Sequence, residues 1–227
     1  YPDGGVEPFR GEKGSTWEGG FRVPSLVRWP GVVKPGTIIN DIFSHQDWLP
    51  TLLAAAGEPG INAKLEKGFR AGDKTYKVHI DGHDQSDLLA GKGPGKRETI
   101  YYFDDNANFN AIRWNDCKIH FAFQMDGWAG PREVLNFPRA INLRTDPYET
   151  SIDSGLYARF FADQLWLFVP TQQEVGKWLM TFCQFPPRQA TASFTIDTMM
   201  KRMQQMLQMR ATALGEGAGA PGTLSTK

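Results

Sequence analysis

Residues 8 to 24 read Pro-Phe-Arg-Gly-Glu-Lys-Gly-Ser-Thr-Trp-Glu-Gly-Gly-Phe-Arg-Val-Pro, and the glycines in so short a span leave few ways to fold it. Gly11 and Gly14 admit turns where a Cβ would collide, so the Lys13 ammonium is aimed from a tight loop. Gly19 and Gly20 permit a close backbone approach before Phe21-Arg22-Val23 starts an extended, apolar segment that ends at Trp29-Pro30. This is the layout of an anion-binding loop. Taken alone it is equally the layout of a solvated loop cation, the commoner fate of a lysine between glycines.

The longer run separates the two. Lys13-Gly-Ser-Thr-Trp-Glu-Gly-Gly-Phe-Arg-Val-Pro, followed by Arg28-Trp-Pro-Gly, resembles the second signature region of type I sulfatases, the arylsulfatase family of the alkaline phosphatase superfamily. The similarity continues through Asn40 to Gly57, Ile80-Asp-Gly, Ala111 to Ile119 and Asn142 to Glu149, reaching about residue 206. The resemblance implies that Lys13 touches the substrate sulfate, as a catalytic and substrate-binding residue beside a divalent cation. Calcium is the metal it suggests, with magnesium or manganese in some members. It also implies an α/β fold in two parts, with residues 1–60 as the last elements of the large catalytic domain. Residues 61–210 would form a smaller antiparallel sheet packed with helices, and residues 211–227 a flexible tail.

The departures from the family are equally informative. Its members carry a Cys-x-Pro-x-Arg or Ser-x-Pro-x-Arg segment oxidised to formylglycine, together with Asp-Asp and Asp-Asn pairs that hold the metal. Here Cys117 lies in Asp-Cys-Lys-Ile and Cys183 in Phe-Cys-Gln-Phe, without the required Pro and Arg. The chain is therefore expected to be the C-terminal part of a longer enzyme, binding no metal itself and inactive in isolation. Its first partner would be the missing N-terminal portion, carrying nucleophile and metal ligands. The implied chemistry is attack of a formylglycine hydrate on sulfur, with cation and lysines neutralising the sulfuryl oxygens. The implied substrate is a small sulfate ester or a sulfated glycan, and the implied location is periplasmic or secreted. A phosphate or phosphonate ester hydrolase of the same superfamily is the alternative, since lysine and metal suit either anion. A non-catalytic anion-binding module is the third reading.

Composition narrows the partners. The chain has 227 residues, 41% of them hydrophobic, and a formal net charge of zero, enough to bury a core but without the cationic block that nucleic acid requires. No apolar run approaches the ~20 residues of a membrane span, and Leu165 to Val169 is far shorter. Two cysteines make no disulfide framework, and two separate buried thiols are expected.

Asp47 reads as the N-cap of a short, mostly buried helix over Trp48 to Ala56, with Pro50 in its first turn and Gly57 at its end. His45 has no second ligand at helical spacing, so it reads as structural or as a rim residue. An extended piece is expected over Tyr76 to Ile80 and a short helix over Gln85 to Ala90. Between them His79 and Asp81 share a face, and turn capping outweighs metal binding. His83 is placed at the rim of the substrate cleft, as a second substrate-binding candidate.

Residues 99 to 145 read as an antiparallel unit: Thr99 to Phe103, Ala111 to Trp114, and Cys117 to Phe123 across the two-residue link Asn115-Asp116. Cys117, Ile119, Phe121 and Phe123 alternate with Lys118, His120 and Ala122, predicting one buried face and one partly wet. Asn142-Leu-Arg adds a strand ended by Thr-Asp-Pro-Tyr. Further on, Leu156, Phe160 and Phe161 open a helix that Pro170 stops, and Thr171-Gln-Gln-Glu174 is a capping box for the next. A last helix carries Ile196, Met199, Met200, Met203 and Met206, packed against a core.

Overall fold

The computed structural model describes residues 8–187, 200 and 203–210; Ile196, Met199 and the Gly215 to Lys227 tail lie outside them. Two compact units divide the chain, Tyr1–Gln189 and Ala190–Lys227. The first unit runs through α1 (Trp48–Ala55), α2 (Ile61–Lys67), the hairpin of β1 (Phe69–Ala71) and β2 (Lys74–Tyr76), and α3 (Ser86–Leu89). An antiparallel meander follows in the order β3 (Thr99–Phe103), β4 (Phe109–Trp114), β5 (Cys117–Gln124) and β6 (Arg132–Asn142). Helices α4 (Tyr157–Asp163) and α5 (Phe168–Gln184) close the unit. Strands adjacent in sequence pair with one another, as short links dictate. Asn115 and Asp116 form the expected tight link: Trp114 faces Cys117, and Asn115 takes φ of 52° as such turns require.

The meander is covered on both faces. On one, Ile112, Ile119 and Ala140 pack with Leu167 and with Phe109, Phe168 and Val175. Trp178 of α5 stacks on Tyr101 there with ring centres 4.7 Å apart. The opposite face carries Lys118, His120 and Ala122, the set expected to be partly wet, and all three are fully buried. The cause lies far away in sequence: the Lys13 loop lies over this face, with the Thr16 amide donating to Gln124 O at 3.0 Å.

Strict alternation also fails at a bulge. His120 faces Arg139 and Ala122 faces Val134, so residues 135–138 of β6 stand against Phe121 alone. Pro138, with no N–H to give, sits in this break. Phe123 consequently joins the opposite cluster, with Trp17, Ile141 and Leu143.

Other expectations are corrected. Helix α5 begins at Phe168 and runs through Pro170 and Thr171. Pro170 falls in the first turn, where no amide partner is needed, and the Thr171 hydroxyl donates to Leu167 O at 2.6 Å in place of a capping box. In α1 only Pro50 and Thr51 are buried, while Leu49 and Leu52 are exposed. Asp47 makes no side-chain cap to α1; its carboxylate instead reaches back to the Ser44 amide at 2.9 Å. Beyond Tyr76 no strand continues to Ile80, and α3 is shorter than the Gln85 to Ala90 expected. β6 ends at Asn142, whose side chain accepts from the Arg144 amide at 3.0 Å. Cys183 is exposed and Cys117 half-buried, both free. Met203, Met206 and Met209 of the helical residues 203–210 are exposed.

Val23 to Trp29 joins no sheet, and Leu26 is wholly exposed. Backbone groups without a ladder or a covering layer open at little cost. Hydrogen exchange is therefore expected to be fast through residues 23 to 28 and slow at Ile112, Ile119 and Ala140. Equal protection of the two regions would contradict this.

Candidate functional site

Two kinds of tie fix the Lys13 loop. The first is steric: Gly14 has φ of 88°, and a Cβ there would run into the indole of Trp128. At Gly19 a Cβ would strike the Gly11 carbonyl, because the loop folds back until the Gly19 amide donates to Arg10 O at 2.8 Å. The second tie is ionic. The Lys118 ammonium donates to Thr16 O at 2.7 Å and pairs with Glu18 Oε1 at 3.0 Å and Glu149 Oε1 at 2.9 Å. Three protons meet three acceptors, so a buried charge is fully satisfied.

Both carboxylates are themselves held. Glu18 accepts from the Tyr102 hydroxyl at 2.7 Å and from Arg22 Nε at 2.6 Å. Glu149 accepts from the Glu18 amide at 2.6 Å and adopts φ of 53°, a left-handed conformation that costs a non-glycine residue strain. Burial works to raise the Glu18 carboxyl, but Lys118, Tyr102 and Arg22 outweigh it and hold it at about 2. Burial likewise opposes the Glu149 charge, and His120 and Lys118 bring that carboxyl below its ordinary range. Burial pushes the His120 imidazole down to about 4, so the ring is neutral at physiological pH. Its Nε2 lies 3.3 Å from Glu149 Oε1, which assigns the proton to that nitrogen. Trp17 completes the seat, stacked on Phe123 with ring centres 5.1 Å apart and capped by the Arg10 guanidinium.

Lys13 itself stands clear of this cluster. It is exposed, and its ammonium lies 5.0 Å from the centre of the Trp128 ring. His83 is elsewhere, in a knot around Asp47 and Arg97. Arg97 grips Asp47 through Nη2 at 2.6 Å and Nε at 2.9 Å, and the His83 amide donates to Asp47 Oδ1 at 2.7 Å. Burial and the Arg97 charge lower the half-buried His83 imidazole. No hydrogen bond or ring contact joins Lys13 to His83 among the described residues. His45 is exposed, while His79 bridges Glu66 at 3.1 Å and Asp81 at 3.3 Å, the latter the shared-face pair expected. Among the described residues no three His, Cys, Asp or Glu side chains converge as a metal-binding group.

Glu18, Tyr102, Lys118, His120, Glu149 and Trp128 were not singled out from sequence. The available signal was weak: Lys118 and His120 at i and i+2 inside an aromatic strand mark a polar stripe, without naming what covers it.

Comparison with known proteins gives one family. Residues 3–58 match the family described as Sulfatase. Human arylsulfatase A is 36% identical over 116 residues, covering 49% of this chain and 20% of its own length. Human steryl-sulfatase is 34% identical over 107 residues, 47% of this chain and 16% of the relative. Human arylsulfatase G is 30% identical over 165 residues, 64% and 29% respectively. Among solved structures, the PsFucS1 sulfatase from Pseudoalteromonas sp. superposes with a TM-score of 0.65 at 26% identity, over 84% of this chain and 36% of that one. The chain thus spans less than a third of these curated relatives.

Two consequences follow from the buried cluster. Lys118→Met leaves Glu18 and Glu149 buried without their cation, and is expected to cost about 3–5 kcal/mol in urea unfolding. A loss below about 1 kcal/mol would show the pair to be solvated. The second concerns pH. His120 is held at about 4 against an ordinary 6.5, so between those values the unfolded chain binds the extra proton. Stability is full above 6.5 and falls as pH drops toward 4, by a few kcal/mol in order of magnitude. Glu18 extends the loss from 4.5 down to about 2. His120→Asn is expected to flatten the upper part of this curve, and an unchanged slope would refute the assignment.

Proposed function

Because residues 3–58 match the Sulfatase family and the relatives and structural neighbours are sulfatases, we propose that the chain is the C-terminal part of a sulfuric ester hydrolase in which Lys13 contacts the sulfuryl oxygens. The observation that carries this is the contrast between two lysines. Lys118 is buried with both carboxylates of the cluster, and that cluster holds the loop from which Lys13 projects. Lys13 is exposed and pairs with no carboxylate among the described residues, so its charge is free for an anion. A preorganised cation of this kind lowers the barrier to ester cleavage by stabilising charge on the sulfuryl and leaving oxygens, without reorganising as the reaction proceeds.

The nucleophile and the metal ligands are assigned, in this reading, to parts of the enzyme outside these 227 residues. Neither Cys117 nor Cys183 has the Pro and Arg that formylglycine formation needs, and among the described residues no three His, Cys, Asp or Glu side chains gather as a metal-binding group. His83 is proposed for the rim of the cleft only. The substrate class is a sulfate ester, and a periplasmic or secreted setting accompanies it. Among the described residues no helix is long and apolar enough to cross a membrane.

The test is Lys13→Ala in the enzyme that carries this region. The expected loss in kcat/KM toward an aryl sulfate is about 2–4 kcal/mol, the range for one preorganised contact. The melting temperature should stay put, since the side chain is exposed. An unchanged kcat/KM removes Lys13 from the site.

A further inference from the structure

Trp128 is 62% exposed, a poor place for an indole unless it meets something. It sits on the turn Gly127–Ala129 between β5 and β6, and that turn is fastened to the Lys13 loop at several points. Gln124 Nε2 donates to Gly127 O at 2.9 Å, while the Gln124 amide donates to Thr16 Oγ1 at 3.2 Å and its carbonyl accepts from the Thr16 amide. One edge of the indole packs on the Cα of Gly14, so tightly that no Cβ fits between them. The ring is therefore held in place while most of its surface stays open. Trp166, 60% exposed, has no comparable cation beside it among the described residues.

We propose that Trp128 is a specificity-determining residue that stacks the ring of the substrate's alcohol portion while Lys13 contacts its sulfate. The inference rests on the reading of Lys13 given above and names the substrate class of that site: sulfate esters of a phenol or of a ring sugar. The ammonium and the indole make a two-part recognition element, one part for charge and one for a flat apolar face. An indole offers its face to aromatic rings and to the C–H face of sugars alike, so the element selects ring-bearing alcohols over short aliphatic ones. Because the turn is tied to the loop, the two parts keep a fixed separation, and little conformational freedom is lost when a ligand bridges them.

The test compares phenyl sulfate with methyl sulfate, two monoanionic esters that differ in the ring, titrated by NMR into the enzyme that carries this region. The indole N–H signal of Trp128 is assigned through Trp128→Phe. Phenyl sulfate should bind more tightly and shift that signal. Trp128→Ala should weaken phenyl sulfate about 3- to 10-fold with methyl sulfate changed less than about 2-fold, and Trp128→Phe should keep most of the preference. Equal losses for both esters, or none for either, overturn the inference while leaving the sulfate contact intact. Methyl sulfate binding that survives Lys13→Ala unchanged overturns the anion contact itself. An enzyme carrying this region that binds neither ester overturns both.

Discussion

The Lys118 ammonium is the point on which the rest of this structure turns. It lies fully buried on a strand in the middle of the meander, yet its partners come from both ends of the unit: Thr16 and Glu18 on one side, Glu149 on the other. A buried ion pair is a poor source of net stability, because desolvation consumes most of the Coulomb gain. Its value here is specificity of arrangement. Misdocking the loop by one residue would strand a charge in a low-dielectric interior, so alternative seats are excluded far more strongly than the correct one is favoured.

This division of labour explains why the two faces of one sheet differ in kind. The α5 face is an ordinary apolar contact, with Ile112 and Ile119 packed with Leu167 and Trp178 set against Phe109. The loop face is polar and directional, and its strained Glu149 backbone is part of the cost of bringing a carboxylate to the right place. Packing holds the helix; charge registers the loop. A glycine-rich segment with almost no secondary structure of its own thereby acquires a defined geometry.

Much of the local architecture was legible in the sequence. The Asn115-Asp116 link, the strands around it and the glycines of the Lys13 loop all declare themselves through turn chemistry and period-two patterning. What failed was chiefly the inferences that needed a distant partner, together with two local ones. Lys118 and His120 read as wet because polar residues in a strand usually are, and the covering segment lies some hundred positions earlier. Pro170 and Thr171 read as a break and a cap, although a proline in a first turn is harmless. The bulge that turns Phe123 over is invisible to alternation, even with Pro138 as a clue. The glycines mark the Lys13 loop as a tight turn, whereas Trp128 and Glu149 carry no local mark of their place beside it.

The Glu18 to Glu149 bond spans 131 residues, which has a consequence for synthesis. At about 5–20 residues per second, a ribosome delivers Glu149 roughly 7–26 s after Glu18 has been made. During that interval Trp17 and the Glu18 carboxylate have no seat, since β5 arrives only shortly before Glu149. The Lys13 loop is thus among the first segments of this unit to be translated, yet it cannot acquire its shape until Glu149 has been made. Its geometry is a property of the finished chain, installed when the turn at Glu149 closes over Lys118.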